Sequence, residues 1–438
     1  MSVKVIVAKQ KHDMTHMLGQ FPDESHYDHL IEEDTDVYMP EIPGHPEMTF
    51  SEERIVLKFR KNYFTKEQQD QAYIGLREAA TETQNRGLAA GPRAEKLGNR
   101  EWVTEYEYDI IDYFSNPKAN LFGEDPIEAI RQSHKNKKPS PSNRNNVWGI
   151  STVKKDNFVF EDWVESTRKL SENEMRAEAK RVAEKYICAT TYANGVFSGI
   201  AGWFDRYPRI PYGRATSYTA NHPDKFAMAY PFLQSLAKGF KDLLPWRYGN
   251  QMEAANKMDP RFLVPETPFT TVTVNRSFRT ACHFDAGDLT SGLSNLLTLS
   301  NNGNYRGCHL VAPEYRVAVN PRPGDLLLIN NHEVMHGNTQ IELLDDVAER
   351  ISLVVYFREK MLELGSKEYE DCRFDFVESR RLNKEHPEQR PLWNGVSPSM
   401  WDSKEWFDYL ESKLGTEVLN KYHPPKTTTV NALEEFFG

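Results

Sequence analysis

The stretch Pro323–Thr339, PGDLLLINNHEVMHGNT, decides how this chain is read. It holds two histidines four apart with a glutamate directly after the first, so His332-Glu333-x-x-His336 spells a zinc-peptidase signature. That signature works because residues at i and i+4 share one face of a helix. Here the run before it, GDLLLIN, is strand-like, and GNT after it is a turn signal. Asn330, Asn331 and Gly337 bracket a segment too short for a helix. His336-Gly337 is therefore read by itself, as half of an iron site, with His332 as the alternative ligand.

Around this stretch, residues 268–358 form short β-rich runs separated by Gly, Asn and Pro: PFTTVTVNRSFRTACHF, GLSNLLTL, CHLVAP, YRVAVN, GDLLLIN and RISLVVYF. Short strands at that spacing predict an antiparallel sandwich or barrel. Upstream, IVLKFRKNYF reads as a strand and TKEQQDQAYIGLREAATE as a helix, followed by a glycine-rich turn, QNRGLAAGPR. Ser171 with Glu174 is a capping box opening a helix, and a second helix is expected over 223–244, kinked or divided at Pro231. After Arg358 the chain returns to helix, in SKEYEDCRFDFVESRRLNK and SKEWFDYLESKLGTEVLNKY. Residues 20–53 are acidic and dotted with proline, which predicts an extended arm. Residues 133–145, SHKNKKPSPSNRN, predict a mobile loop.

Composition narrows the function classes. The 438 residues are 39% hydrophobic and 27% charged, with no apolar run approaching a membrane span. No membrane role is expected, and the apolar run Val5–Ala8 is too short for a signal-peptide core, which suggests an intracellular protein. Cys188, Cys282, Cys308 and Cys372 form no CxxC pair, against both a disulfide framework and a thiolate zinc site. A formal net charge of −10 does not suit a global nucleic-acid binder, although a local basic channel can exist on an acidic protein.

Within the β-rich region lie His283-Phe284-Asp285, then His336 about fifty residues later, then Arg350 and Ser352. Two histidines and one carboxylate are the facial triad of non-haem Fe(II) oxygenases. In HxD on an extended segment the side chains at i and i+2 share a face, so both can reach one metal, and the third ligand must come from a neighbouring strand. Three protein ligands leave positions for a bidentate 2-oxoacid and O2. Arg350 suits the far carboxylate of 2-oxoglutarate, and Ser352 faces the same way and can add a hydrogen bond. His309 reads as a core or lumen histidine.

TVNRSFRTACHFDAGDLTSGL (273–293), YRGCHLVAPEYRVAVNPRPGDLLLINNHEVMHGNT (305–339) and RISLVVYFR (350–358) resemble the TET/JBP dioxygenases, most closely the J-binding-protein branch that hydroxylates the methyl group of thymine in DNA. NRGLAAGPR (85–93) and SGIAGWFDRYPRIPYGRATSYT (198–219) are similar to that branch too. The resemblance implies an α+β fold with a double-stranded β-helix (jelly-roll or cupin-like) core at about 268–358, flanked by N-terminal and C-terminal helices. The chain is expected to divide into an extended acidic N-terminal arm over 1–53, a dioxygenase domain over 54–360 and a C-terminal helical extension over 361–438, the clear resemblance covering about 195–360. By the same resemblance His283, Asp285 and His336 hold Fe(II), and Arg350 with Ser352 holds 2-oxoglutarate. Asp288 falls where the J-binding branch has an aspartate and the TET branch an asparagine that contacts the base, which leans toward thymine. Tyr356 matches the aromatic position that stacks on a flipped base, and Arg358 departs from the TET histidine. One of Asn275, Arg276 and Arg279 is expected to line the pocket.

The expected partner is DNA, with the thymine flipped out of the stack, because a methyl inside a duplex cannot reach a metal buried in a barrel. Lys135, Lys137, Lys138 and Arg144 are then candidates to track phosphates. The expected location is nuclear, or cytoplasmic at a nucleoid. A 5-methylcytosine dioxygenase, a small-molecule or protein hydroxylase, and a DNA-binding module with a vestigial site are the competing readings.

Overall fold

The computed structural model describes residues 3–91, 148–152, 188–191, 195–208, 210–381 and 396–424, with positions 171 and 174. The first strands are β1 (Lys4–Val7), β2 (His29–Ile31), β3 (Thr35–Tyr38) and β4 (Ile55–Arg60). Helix α1 (Lys66–Leu76) leads to β5 (Thr83–Asn85), β6 (Trp148–Thr152), β7 (Cys188–Thr191), β8 (Gly195–Phe204) and β9 (Arg214–Ala215). Helices α2 (Ser217–Asn221), α3 (Pro223–Met228), α4 (Tyr230–Leu243) and α5 (Pro245–Asn256) come next. The strand-rich part holds β10 (Thr271–Arg276), β11 (Ser294–Ser300), β12 (Tyr305–Gly307), β13 (Leu310–Ala312), β14 (Val317–Val319) and β15 (Leu326–Ile329). It ends with β16 (Gly337–Asn338), β17 (Ile341–Leu343) and β18 (Arg350–Tyr356), after which come α6 (Lys367–Arg380) and α7 (Lys404–Tyr422).

Three layers result. The large sheet runs β1-β3-β4-β15-β11-β18-β10-β8-β5, with β9 on β8, and the small sheet runs β16-β13-β14-β2. The strand period of two sorts the residues of the large sheet. Val272, Val274, Ile351, Leu353 and Val355 point to one face, where they pack with Phe232, Leu236 and Phe240 of α4 and Leu76 of α1. Leu327, Ile329 and Phe59 point to the other face and pack against Leu310, Val317 and Val319 of the small sheet. The helices stay on the first face because α4 presents its apolar residues at helical spacing, and burial of each large side chain contributes about 1.5–3 kcal/mol. A methyl at Gly199 of β8 would lie 1.6 Å from the Ala79 carbonyl, so only glycine lets the turn after α1 close onto the sheet.

The six short runs expected between 268 and 358 each contain a strand, and Pro231 divides α3 from α4 by standing in the first turn of the latter. The capping box at Ser171 and Glu174 is present, with the Ser171 amide donating to Glu174 at 2.8 Å; the rest of that helix and the basic loop 133–145 lie outside the described residues.

Other expectations need correcting. Within 268–358 every described strand pair is antiparallel, as expected, but the sheets as wholes are mixed, since the N-terminal strands add β1 to β3 and β2 to β14 in parallel. Among the described residues no strand pairing joins the two sheets into a closed barrel, so the architecture is α+β with mixed sheets. The acidic segment before residue 53 is not a free arm. It supplies β3, whose four residues are all buried between β1 and β4, and β2 at the edge of the small sheet. Acidity misled here because Asp36 is neutralised inside the sheet by Lys58 at 2.6 Å and Arg60 at 2.8 Å. The run 268–284 is a strand only as far as Arg276.

Candidate functional site

The segment after β10 returns across the gap between the sheets and forms an antiparallel bridge, His283 to His336, with both N–H to O distances 3.0 Å. His336 directly precedes β16 of the small sheet. Gly337 makes this approach possible, because a Cβ there would lie 2.9 Å from the Cys282 amide nitrogen. The HxD pair therefore projects from a bridged loop, not from the end of β10, yet its i, i+2 spacing still aims both side chains one way.

The donor atoms of His283, Asp285 and His336 lie within 4.8 Å of one another. His283 Nε2 is 3.3 Å and His336 Nε2 is 4.0 Å from the Asp285 carboxylate. Each imidazole donates its Nδ1–H to a carbonyl two residues earlier, Ala281 at 2.8 Å and Val334 at 3.0 Å, which leaves Nε2 free to ligate. Asn331 donates to Asp285 at 2.9 Å and orients it. Burial, and then the neighbouring His283, pull the His336 imidazole down to about 4. Burial pushes Asp285 up, but the two histidines and Asn331 outweigh it and hold the carboxyl at about 2. Burial likewise pulls His283 down, and its contact with Asp285 more than reverses this. An ionised carboxylate beside a neutral His336 suits a divalent cation.

His332 is exposed and lies in a turn closed by Val334 N–H to the Asn330 carbonyl at 2.8 Å. It is not in the cluster, and no helix carries the apparent peptidase signature.

The three side chains open into a cavity of about 630 Å³ between the sheets. Arg350, Ser352 and Tyr356 of β18 and Asn275 of β10 reach it from the large sheet. Arg350 is 3% exposed, donates to Thr298 Oγ1 at 3.2 Å, and leaves its Nε without a hydrogen-bond partner. Among the described residues no carboxylate pairs with it. A buried guanidinium without an acidic partner is costly to hold, and its donors have the chemistry to complete themselves on a small anion. Ser352 stands one strand repeat away, opposite Asn275 in register.

Asp288 is buried and bridged to Arg358, and its carboxylate accepts the Ser294 hydroxyl. Burial, then the Asp285 charge, push its carboxyl up to about 7. Tyr356 is 7% exposed, and Arg358 lies over the Phe204 ring at 4.1 Å and pairs with Asp205. Of the trio Asn275, Arg276 and Arg279, only Asn275 lines the cavity. Arg276 stacks on Phe197, and Arg279 stacks on Phe21 while donating to the Asn338 and Pro22 carbonyls. Lys135, Lys137, Lys138 and Arg144 lie outside the described residues.

Sequence reasoning missed Arg86, which lines the cavity and donates to Ser198 at 2.7 Å; Ser198 in turn donates to Asn275 at 2.6 Å. The run NRGLAAGPR was the signal available for it. Burial lowers its pKa, and the nearby Tyr356 and Asp285 oppose that. Asn331 and Asp205 were missed as well, since nothing local marks them.

A family model, Tet_JBP, described as the oxygenase domain of the 2OGFeDO superfamily, matches residues 200–359. Thymine dioxygenase JBP1 of Trypanosoma brucei brucei is 31% identical over 257 residues, covering 56% of this chain and 27% of that protein. Bifunctional helicase and thymine dioxygenase JBP2 of Leishmania braziliensis is 28% identical over 296 residues, covering 64% of this chain and 25% of that one. The chain thus spans about a quarter of the length of these curated relatives. A solved complex of NgTET1 with 5mC DNA aligns with 86% of this chain and 91% of that chain, at 10% identity and a TM-score of 0.39. Residues 200–359 are thus similar to the Tet_JBP oxygenase domain, and within them two histidines and one carboxylate are gathered closely enough to hold a metal ion.

Proposed function

We propose that this protein hydroxylates the 5-methyl group of thymine in DNA, giving 5-hydroxymethyluracil. The observation that carries the oxygenase half of this reading is Arg350, a buried cation with no acidic partner among the described residues, opening on the same cavity as the triad. His283, Asp285 and His336 would hold iron, leaving open positions for a chelating 2-oxoacid, and Arg350 with Ser352 would take the far carboxylate. Bound together, iron, 2-oxoglutarate and O2 supply the oxidant for a C–H bond and release succinate and CO2. We read the two facing sheets as the halves of a double-stranded β-helix, with residues 54–360 as the dioxygenase unit.

The chain's own residues do the rest. Nδ1 donation to backbone carbonyls holds both imidazoles in the tautomer that presents Nε2. The apolar walls, including Leu296, Leu327 and Val354, keep bulk water from the reacting carbon. Tyr356 offers a ring for a flipped base to stack on, and Asp288 offers a carboxyl for its edge. Thymine is favoured by the names of the two trypanosomatid relatives and by the aspartate at 288. The test is nucleoside mass spectrometry of DNA incubated with the protein, Fe(II), ascorbate and 2-oxoglutarate, with Asp285→Ala as control. We expect 5-hydroxymethyluracil from the parent and none from the variant; oxidised cytosines without it would transfer the reading to 5-methylcytosine.

A further inference from the structure

The C-terminal helices sit outside residues 200–359, yet one of their side chains reaches toward the cavity through a short run of ion pairs. Glu370 of α6 is fully buried. Its carboxylate accepts from Arg206, whose Nε is 3.2 Å away, from the Gly213 amide at 2.7 Å and from the Gly365 amide at 2.8 Å. One carboxylate thus ties together the exit of β8, the approach to β9 and the start of the C-terminal extension. The residue before Arg206 is Asp205, 3% exposed, which pairs with Arg358 and whose carbonyl accepts from Arg214 at 3.0 Å. Arg358 lies on Phe204, its backbone forms an antiparallel bridge with that of Asp288, and these three residues line the cavity.

Glu370 has no other cation among the described residues to satisfy it, and Arg206 no other carboxylate. Removing Arg206 leaves the buried Glu370 carboxylate without a cation, and neutralising Glu370 releases the half-buried Arg206 from its anchor; either change loosens the local backbone. The 204–206 segment takes up that movement first, because it ends a strand; on its far side the Asp205–Arg358 pair, the Arg214 hydrogen bond to the Asp205 carbonyl and the pairing of Phe204 with Arg214 pass the shift on toward the cavity.

We propose that Glu370 is a positioning residue: through Arg206 and Asp205 it sets where Arg358 and Phe204 stand at the cavity, so the C-terminal helices are part of the substrate-handling apparatus. The inference rests on the oxygenase reading for its catalytic consequence, but its structural half can be measured separately. A displacement of about an ångström at a substrate-positioning group lowers turnover by up to roughly a hundredfold without touching the chemistry.

The experiment uses the full chain and Glu370→Gln, with Arg206→Lys as a milder variant should the first fail to fold. Hydrogen exchange should rise over 203–206 and 357–359 while staying unchanged at 336–338, beside the metal ligand. DNA-dependent turnover should fall about tenfold to a hundredfold in kcat/KM, while DNA-independent 2-oxoglutarate decarboxylation stays within about twofold. Arg358→Ala should cause a similar loss, and Glu370→Gln should add little to it, since two changes on one path are not additive. Unchanged exchange at 203–206, full additivity with Arg358→Ala, or equal loss of both activities would overturn the proposal. If the parent oxidises no DNA, the functional reading fails, and the exchange pattern alone decides the positioning role.

Discussion

Two residues near the triad do different work and fail differently. Arg350 is a preformed, buried cation, and in the proposed function truncating it would remove a pair of charge-assisted hydrogen bonds to the co-substrate. Arg350→Ala should raise KM for 2-oxoglutarate roughly tenfold to a hundredfold, from about 1.5–3 kcal/mol of lost interaction, with iron affinity nearly unchanged. An unaltered KM would remove Arg350 from the binding site. Gly337 binds nothing, but a Cβ on it would press on the Cys282 backbone and part the two bridged segments. Gly337→Ala should therefore lower iron occupancy, read by metal analysis of the folded variant, although no donor atom has been changed. Both residues stand in the sequence as R-x-S and His-Gly, so their type was legible. The reason for the glycine was not, because it lies in a backbone contact with a segment about fifty residues away.

At the scale of elements, the described strands of the 268–358 region follow from apolar runs and turn residues, and α4 from its spacing and from Pro231. β2 and β3 did not, because their acidic neighbours suggested solvent while Lys58 and Arg60 neutralise Asp36 from the adjacent strand. Charge composition cannot anticipate a partner contributed from across a sheet.

Helix α6 is anchored at its start by Arg261, which pairs with Asp259 and Glu368. Hydrogen bonds from Arg261 hold Glu368 at about 2 and lower Asp259 as well. Because these pKa values are depressed in the folded state, the stability they add is fully present above about pH 4.5 and is lost as pH falls through about 2. Arg261→Gln should lower the melting temperature at pH 6, and the gap to the parent should close as the pH approaches 2. A gap constant with pH would mean that the pairs are not the cause.

Across the whole molecule, the metal site belongs to neither sheet. His336 is attached to the small sheet, while Arg350, Ser352 and Asn275 belong to the large one. A metal bound there pins the layers together and stabilises the fold by mass action, about 2.7 kcal/mol at a hundredfold excess over its Kd. Manganese(II), which is redox-silent under these conditions, should raise the melting temperature of the parent and leave that of Asp285→Ala unmoved. Equal shifts in both would point to binding elsewhere.

The sequence by itself determined the three candidate ligands, the cation that stands in their cavity and the strand-rich region carrying them, because HxD, His-Gly and R-x-S are local patterns with local geometry. It also excluded a helix for PGDLLLINNHEVMHGNT. Only the tertiary structure decided that His336 and not His332 faces the other ligands, that Arg86 and Arg358 share their cavity, and that Glu370 is wired toward it. Those facts depend on contacts between segments from 50 to 280 or so positions apart, and no periodicity within a segment encodes what folds against it.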